Sequence, residues 1–323
     1  MIKVLLALLL IGEVPVLLGQ DNNASSNPSG IEESAEKKTA KAPEPTPTAL
    51  PGAETMVFKK VGATELHLFV VKPRGWSASD KRSCLVSFFG GGWSGGTPTH
   101  SIGYAKWAAS QGMVGVAPDY RTRTRFNGTP EDCVADGRAA VRWLQDHAAE
   151  LGIDPAKMVS LGASAGGHVA AWTAITTPVS PSSSSDPMPN PQPAALILLW
   201  PVTDTTSTGY GGPRRFSGDE ARAAALSVTG RMPTKMPPTI IFHGTADKTV
   251  KFENSAAFMD KMKANGNNCS LTPFSDAPHS PTSTKDGKGK DRLKQIYQES
   301  QKFLIGLGLI RTSDARDAGA SPE

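Results

Sequence analysis

Residues 158–168 read Met158-Val159-Ser160-Leu161-Gly162-Ala163-Ser164-Ala165-Gly166-Gly167-His168. A short run ending in Leu161 meets a Gly-x-Ser-x-Gly turn, and the alanine-rich stretch that follows predicts a helix from Gly167 to Ile175. A serine on such a strand-to-helix turn projects its hydroxyl from the end of the strand, and the small residues on both sides leave room for a strained backbone. The five-residue pattern recurs by chance in glycine-rich chains, so its context carries the weight. Ser164 is read as a candidate nucleophile, against the simpler role of a helix cap.

Outward from this stretch, short apolar runs bounded by Gly or Pro recur at Cys84–Phe89, Met113–Pro118, Ala194–Trp200 and Pro238–His243. Runs apolar at nearly every position suit strands covered on both faces. Before them, Met56–Lys60 and Glu65–Lys72 form a β-rich start in which Leu66, Leu68 and Val70 fall on one face. The clearest helix spans Pro130 to Leu151: Thr129 caps it, Pro130 takes its first position, and Glu131 and Asp132 complement the dipole. Val134, Val141, Leu144, Ala148 and Leu151 form its buried stripe, and Gly152 before Ile153 reads as a left-handed stop. This βαβ alternation predicts an α/β fold with a mostly parallel sheet flanked by helices. Pro178–Pro193 reads as a surface loop, and Thr203–Pro237, with a short helix near Asp219–Leu226, as a small lid.

The two ends of the 323-residue chain differ from its middle. Residues 1–19 pair a basic start at Lys3 with the apolar run Val4–Ile11, the layout of a secretory signal peptide. Glu13 and Pro15 interrupt the run, which falls short of the roughly 20 apolar residues a bilayer span requires. Stable membrane association after cleavage is therefore not expected, and the location expected is secreted or periplasmic. Residues 20–52 are rich in Asn, Ser, Pro, Lys and Glu and read as a disordered tether; residues 311–323 read as a similar tail. Residues 53–310 remain as one domain.

Net charge is +4, but the basic residues are dispersed, which argues against a nucleic-acid partner. Cys84, Cys133 and Cys269 make no disulfide framework and have no metal-ligand spacing, so no metal is expected.

Three further stretches complete a chemical inventory. Phe89-Gly90-Gly91-Gly92-Trp93 follows a strand, and successive glycines let backbone N–H groups face a ligand. His243-Gly244-Thr245-Ala246-Asp247 ends another strand, placing Asp247 where open α/β sheets carry functional groups, with Asp204 as its nearest competitor. His279 lies in a polar turn before the last helix; His168 is expected to pack on the serine's helix, and His67, His100 and His147 lie in a strand, a loop and a solvated helix face. The order Ser164, Asp247, His279 supplies a nucleophile, an acid and a base in which Asp247 orients the imidazole that activates the serine. No cofactor is required by such a set.

With these motifs in that order, the chain resembles the α/β-hydrolase superfamily over about residues 55–308, and within it the hormone-sensitive-lipase-like carboxylesterases and the bacterial feruloyl and acetyl esterases. The resemblance implies an α/β-hydrolase fold and an oxyanion hole formed by the N–H groups of Gly91, Gly92 and Ala165. Asp119-Tyr120-Arg121 is similar to a family hallmark with a structural role near that loop. The family's loop usually reads His-Gly-Gly-Gly; Phe89 stands at the histidine position, which puts the bracing of the loop in question more than its chemistry. Small residues around Ser164 and a short lid favour a short acyl group. The resemblance implies a small-molecule or polysaccharide-linked ester, acetyl or feruloyl, as substrate. Two other readings stand beside it: a prolyl-oligopeptidase-type serine peptidase, and a catalytically inactive binding module on the same fold.

Overall fold

Leu196 and Leu198 join one hydrophobic core while Ala195, Ile197 and Leu199 join another, so a strand apolar at every position serves both faces of a sheet. The computed structural model describes residues 44–178, 188–210, 216–283 and 286–311. The signal segment of residues 1–19, most of the tether and the tail from residue 312 lie outside them.

Eight strands form one sheet: β1 (Glu54–Val61), β2 (Thr64–Val71), β3 (Arg82–Phe88), β4 (Val114–Pro118), β5 (Ile153–Ala163), β6 (Ala195–Leu199), β7 (Thr239–Gly244) and β8 (Cys269–Phe274). Their spatial order is β1-β2-β4-β3-β5-β6-β7-β8. The pairs β1–β2 and β2–β4 are antiparallel and all the others parallel. Sequence order reverses beside β3, whose carboxyl end neighbours that of β5. Such a switch point opens a crevice at the strand ends, and here it brings the glycine loop after β3 next to the serine turn after β5.

Helices α1 (Ile102–Ser110), α2 (Arg123–Phe126), α3 (Pro130–Asp146) and α4 (Ala165–Trp172) are followed by α5 (Glu220–Leu226), α6 (Val228–Arg231), α7 (Glu253–Ala264) and α8 (Gly289–Gly306). Val134, Val141 and Leu144 of α3, Val169 of α4 and Phe258 of α7 cover the sheet face that carries Val86 and Leu198. Trp107 of α1 with Ile296 and Leu304 of α8 cover the face that carries Leu85 and Ile197.

Local chemistry sets the element ends. Thr129 Oγ1 accepts the Asp132 N–H at 3.1 Å while Asp132 Oδ2 accepts the Thr129 N–H at 2.9 Å, a reciprocal cap that starts α3. Regular helix stops at Asp146, five residues before the expected Leu151. Residues 147–152 tighten into turns instead: the Ile153 N–H returns to Ala148 O at 3.0 Å with Gly152 at φ +63°, and Trp76 Nε1 takes the Leu151 carbonyl at 2.9 Å. At the far end of α4, the buried Arg138 guanidinium donates to the carbonyls of Trp172 (3.1 Å), Ile175 (2.6 Å) and Thr177 (2.9 Å). A cation there satisfies carbonyls that the helix itself leaves unpaired.

Residues 44–52, read above as part of the tether, touch the domain. Leu50 is buried with Phe69, Val71, Ala105 and Ala117, and Glu44 pairs with His100 at 3.4 Å.

Gly115 of β4 lies against α1 so closely that a Cβ would enter the carbonyl of Ala105. Because the obstacle is backbone rather than a movable side chain, Gly115→Ala is expected to cost about 1–3 kcal/mol, read as a lower urea midpoint at unchanged slope.

Candidate active site

Ser164 sits between β5 and α4 at φ +55° and ψ −120°, a conformation that costs a non-glycine residue about 1–3 kcal/mol. Hydrogen bonds hold it there. The Ser164 N–H donates to Leu199 O at 2.9 Å, and Ser164 O accepts the N–H groups of Val202 at 3.1 Å and His168 at 3.2 Å. A Cβ at Gly162 would strike the backbone of Gly166, and one at Gly166 would strike the carbonyls of Phe88 and Phe89. Both glycines of the turn are thus required by close backbone approach.

His279 and Asp247 meet this serine from two other loops. His279 Nε2 lies 3.1 Å from Ser164 Oγ, and His279 Nδ1 lies 2.7 Å from Asp247 Oδ2. Nδ1–H therefore donates to the carboxylate, which leaves the Nε2 lone pair facing the serine hydroxyl. Asp247 Oδ1 accepts the N–H groups of Thr249 (2.8 Å) and Val250 (2.9 Å), and Oδ2 also receives His243 Nε2 at 3.1 Å. Burial by itself would raise this carboxyl. Donors from His243, then His279, then the Val250 backbone outweigh burial and hold it well below the usual carboxylate range.

The glycine loop completes the site. An ideal Cβ at Gly90 would lie 3.4 Å from the Ser164 Cβ, and Gly91 and Gly92 adopt φ +132° and +59°. Gly91, Gly92, Ser164 and His279 line one cavity of about 690 Å³ with Phe88, Tyr104 and Trp200 among its other walls. Ala165 opens α4, so its N–H is one of those a helix start leaves without an intrahelical partner.

An aromatic stack braces the loop at Phe89. The Phe89 ring lies on Tyr120 with centroids 3.9 Å apart and 6° between planes, the Arg125 guanidinium stands 5.6 Å over the Phe89 ring, and the Tyr120 hydroxyl donates to Phe89 O. Asp119 fixes Arg125 through contacts of 2.6 and 3.0 Å, and Arg121 is held by the buried Asp136 at 2.8 and 2.9 Å. The Asp119-Tyr120-Arg121 segment thus has the structural position that the resemblance implied.

The remaining sequence candidates separate. Asp204 turns inward to Thr206 N (3.0 Å) and Ser227 Oγ (3.1 Å), in a polar turn of its own. Burial pushes His168 down to about 4, and its Nε2 lies 2.8 Å from Leu226 O, so it packs as expected. His147 stacks on Trp143 at 3.8 Å rather than standing free in solvent, and His100 lines the cavity. Of the described residues of the expected lid, only Tyr210 lines the cavity; Leu226 and Val228 enter the main core. His243, Arg125, Asp136 and Arg138 had no role in the sequence reading. The one local signal was His243, four residues ahead of Asp247.

Comparison with known proteins agrees with this geometry. The structure superposes on an esterase from Thermogutta terrifontis, Est2 with propionate bound, at TM-score 0.73 and 38% identity over 80% of this chain and 96% of that one. The chain belongs to the α/β-hydrolase superfamily, among its serine esterases. The BD-FAE family model matches residues 73–207 and the prolyl oligopeptidase family model residues 195–304. Carboxylesterase NlhH of Mycobacterium tuberculosis is 39% identical over 94 residues, 28% of each chain. The isoprenylcysteine alpha-carbonyl methylesterase ICME of Arabidopsis thaliana is 25% identical over 247 residues, 65% of this chain and 53% of that one. The match thus spans between about a quarter and half the length of these two relatives.

Two outcomes follow from the bracing and the charge. Tyr120→Phe removes the hydroxyl that holds Phe89 O and is expected to lower stability by about 1 kcal/mol in urea unfolding. Asp247 lies lower in the folded than in the unfolded state, so its stabilisation is complete above about pH 4 and drains as acid protonates it. The stability gap between wild type and Asp247→Asn is therefore expected to be widest at neutral pH and to narrow below about pH 4 in urea titrations.

Proposed function

We propose that the protein is a serine carboxylesterase that hydrolyses short-chain acyl esters, with Ser164 as nucleophile, His279 as base and Asp247 as its orienting acid. The observation that carries the proposal is the pair of contacts on one imidazole, 3.1 Å to Ser164 Oγ and 2.7 Å to Asp247 Oδ2. Ser164 Oγ attacks the ester carbonyl as His279 Nε2 accepts its proton, and Asp247 stabilises the imidazolium. Charge on the carbonyl oxygen is taken by the N–H groups of Gly91, Gly92 and Ala165, each worth on the order of 3 kcal/mol in the transition state. His279 then gives its proton to the departing alcohol. Water, deprotonated by the same imidazole, attacks the acyl-enzyme and releases the acid and Ser164.

The short acyl preference is supported by the bulky walls of Phe88, Tyr104 and Trp200 around Ser164. Propionate and butyrate are bound in structures of the Thermogutta esterase, which supports the same preference here. Acetyl and feruloyl esters of polysaccharide are the proposed natural class, resting on the family resemblance. Export is proposed with it, from the composition of residues 1–19, which lie outside the described residues. A peptidase is the second reading, favoured by the prolyl oligopeptidase family match over residues 195–304.

A series of nitrophenyl esters from acetate to octanoate tests the proposal, with rates expected to decline beyond butyrate. Ser164→Ala is expected to lower kcat by at least about 10⁴-fold and to abolish fluorophosphonate labelling. Failure of active wild-type protein to react with that reagent would exclude a serine nucleophile. Cleavage of a prolyl nitroanilide as fast as the esters would favour the peptidase.

A further inference from the structure

His243, the penultimate residue of β7, is completely buried and lies four residues ahead of Asp247. Its ring nitrogens can be assigned from their partners. Val250 O lies 2.9 Å from Nε2 and, being a carbonyl, can only accept, so Nε2 carries the hydrogen. The same N–H reaches Asp247 Oδ2 at 3.1 Å. On the other side Ser255 Oγ, in the first turn of α7, lies 2.7 Å from Nδ1 and donates to its lone pair. Phe252 meets the imidazole edge-on at 5.7 Å between centroids.

Asp247 is held unequally without this residue. Its Oδ1 is fixed by two backbone N–H groups, whereas Oδ2, the oxygen that orients His279, has only side-chain donors. We propose that His243 is a positioning residue for the triad, holding Asp247 Oδ2 in line with His279 Nδ1, with Val250 O keeping the proton on Nε2 and Ser255 Oγ anchoring Nδ1. The inference rests on the esterase reading of the same site. A continuous path of side chains then runs Ser255, His243, Asp247, His279, Ser164, from the start of α7 to the nucleophile. If the carboxylate turns about its Oδ1 contacts, His279 Nε2 moves relative to Ser164, and a displacement near 1 Å in such a set costs about 100-fold in rate.

The test combines two readouts on the full chain. Imidazole nitrogen NMR on wild type is expected to show His243 protonated at Nε2 and bare at Nδ1, and Ser255→Ala is expected to shift the Nδ1 resonance while the proton stays on Nε2. Kinetics on nitrophenyl acetate, normalised to sites titrated by the initial burst, are expected to show His243→Leu lowering kcat about 10- to 100-fold with KM held within about twofold. His243→Gln keeps an N–H near the Nε2 position and is expected to recover most of that loss; a merely structural role would lower the number of titratable sites and not the rate per site. Should His243→Leu fail to fold, Ser255→Ala supplies the kinetic reading, with an expected kcat loss of about two- to fivefold at unchanged KM. A wild-type proton on Nδ1, a His243→Leu rate per site equal to wild type, or a Gln variant no better than Leu would each overturn the proposal. Absence of ester turnover in wild type would overturn the esterase reading, and the NMR result would still decide the tautomer.

Discussion

At the carboxyl edge of the sheet two backbones touch with no side chain between them. Gly166, in the turn after β5, packs against the carbonyls of Phe88 and Phe89 at the end of β3, and Gly162 packs against Gly166 itself. That contact determines both halves of the site, because it forces Ser164 into its left-handed turn and fixes the distance from the serine to the glycine loop. The parallel pairing of β3 with β5 brings the two strand ends level, Ser87 opposite Leu161 and Phe88 opposite Gly162. Strain at Ser164 persists because surrounding hydrogen bonds over-determine it.

Charge is managed on the opposite side of the cleft. Asp247 is buried, which disfavours a carboxylate, yet four donors converge on its two oxygens. In the proposed acyl transfer, an imidazolium formed next to it would meet a fixed, ionised partner with no need for solvent to reorganise. Such a partner is useful only in register with the imidazole, and the α7 start, through Ser255 and His243, is part of what keeps it there.

The loop after β3 illustrates how one mechanical task admits two chemistries. Where relatives of this type usually carry a histidine, Phe89 stacks on Tyr120 beneath Arg125, and the Tyr120 hydroxyl ties down the Phe89 carbonyl. Arg125 is itself clamped by the fully buried Asp119. An apolar ring can brace the loop because the polar connections are carried by its neighbours from Asp119-Tyr120-Arg121 and α2.

The amino-acid sequence by itself determined the α/β class, since the apolar runs of β3 to β7 are too short and too uniformly apolar for surface helices, and it determined the helix from Pro130 through its cap and stripe. It also singled out Ser164, Asp247 and His279 as candidates, each after a strand in the order this fold requires, and the structure links the three by hydrogen bonds. Tertiary structure alone decided what lay around them. The role of His243 depends on a serine 12 residues away and a carbonyl seven residues away, distances that follow from the path of a loop and not from any period. Arg138 reads as one more charge on an amphipathic helix until the end of α4 and the turn after it pack their carbonyls against it. The support for Phe89 comes from a residue 31 positions away, and a linear pattern carries no information on which distant side chain will fill a given space.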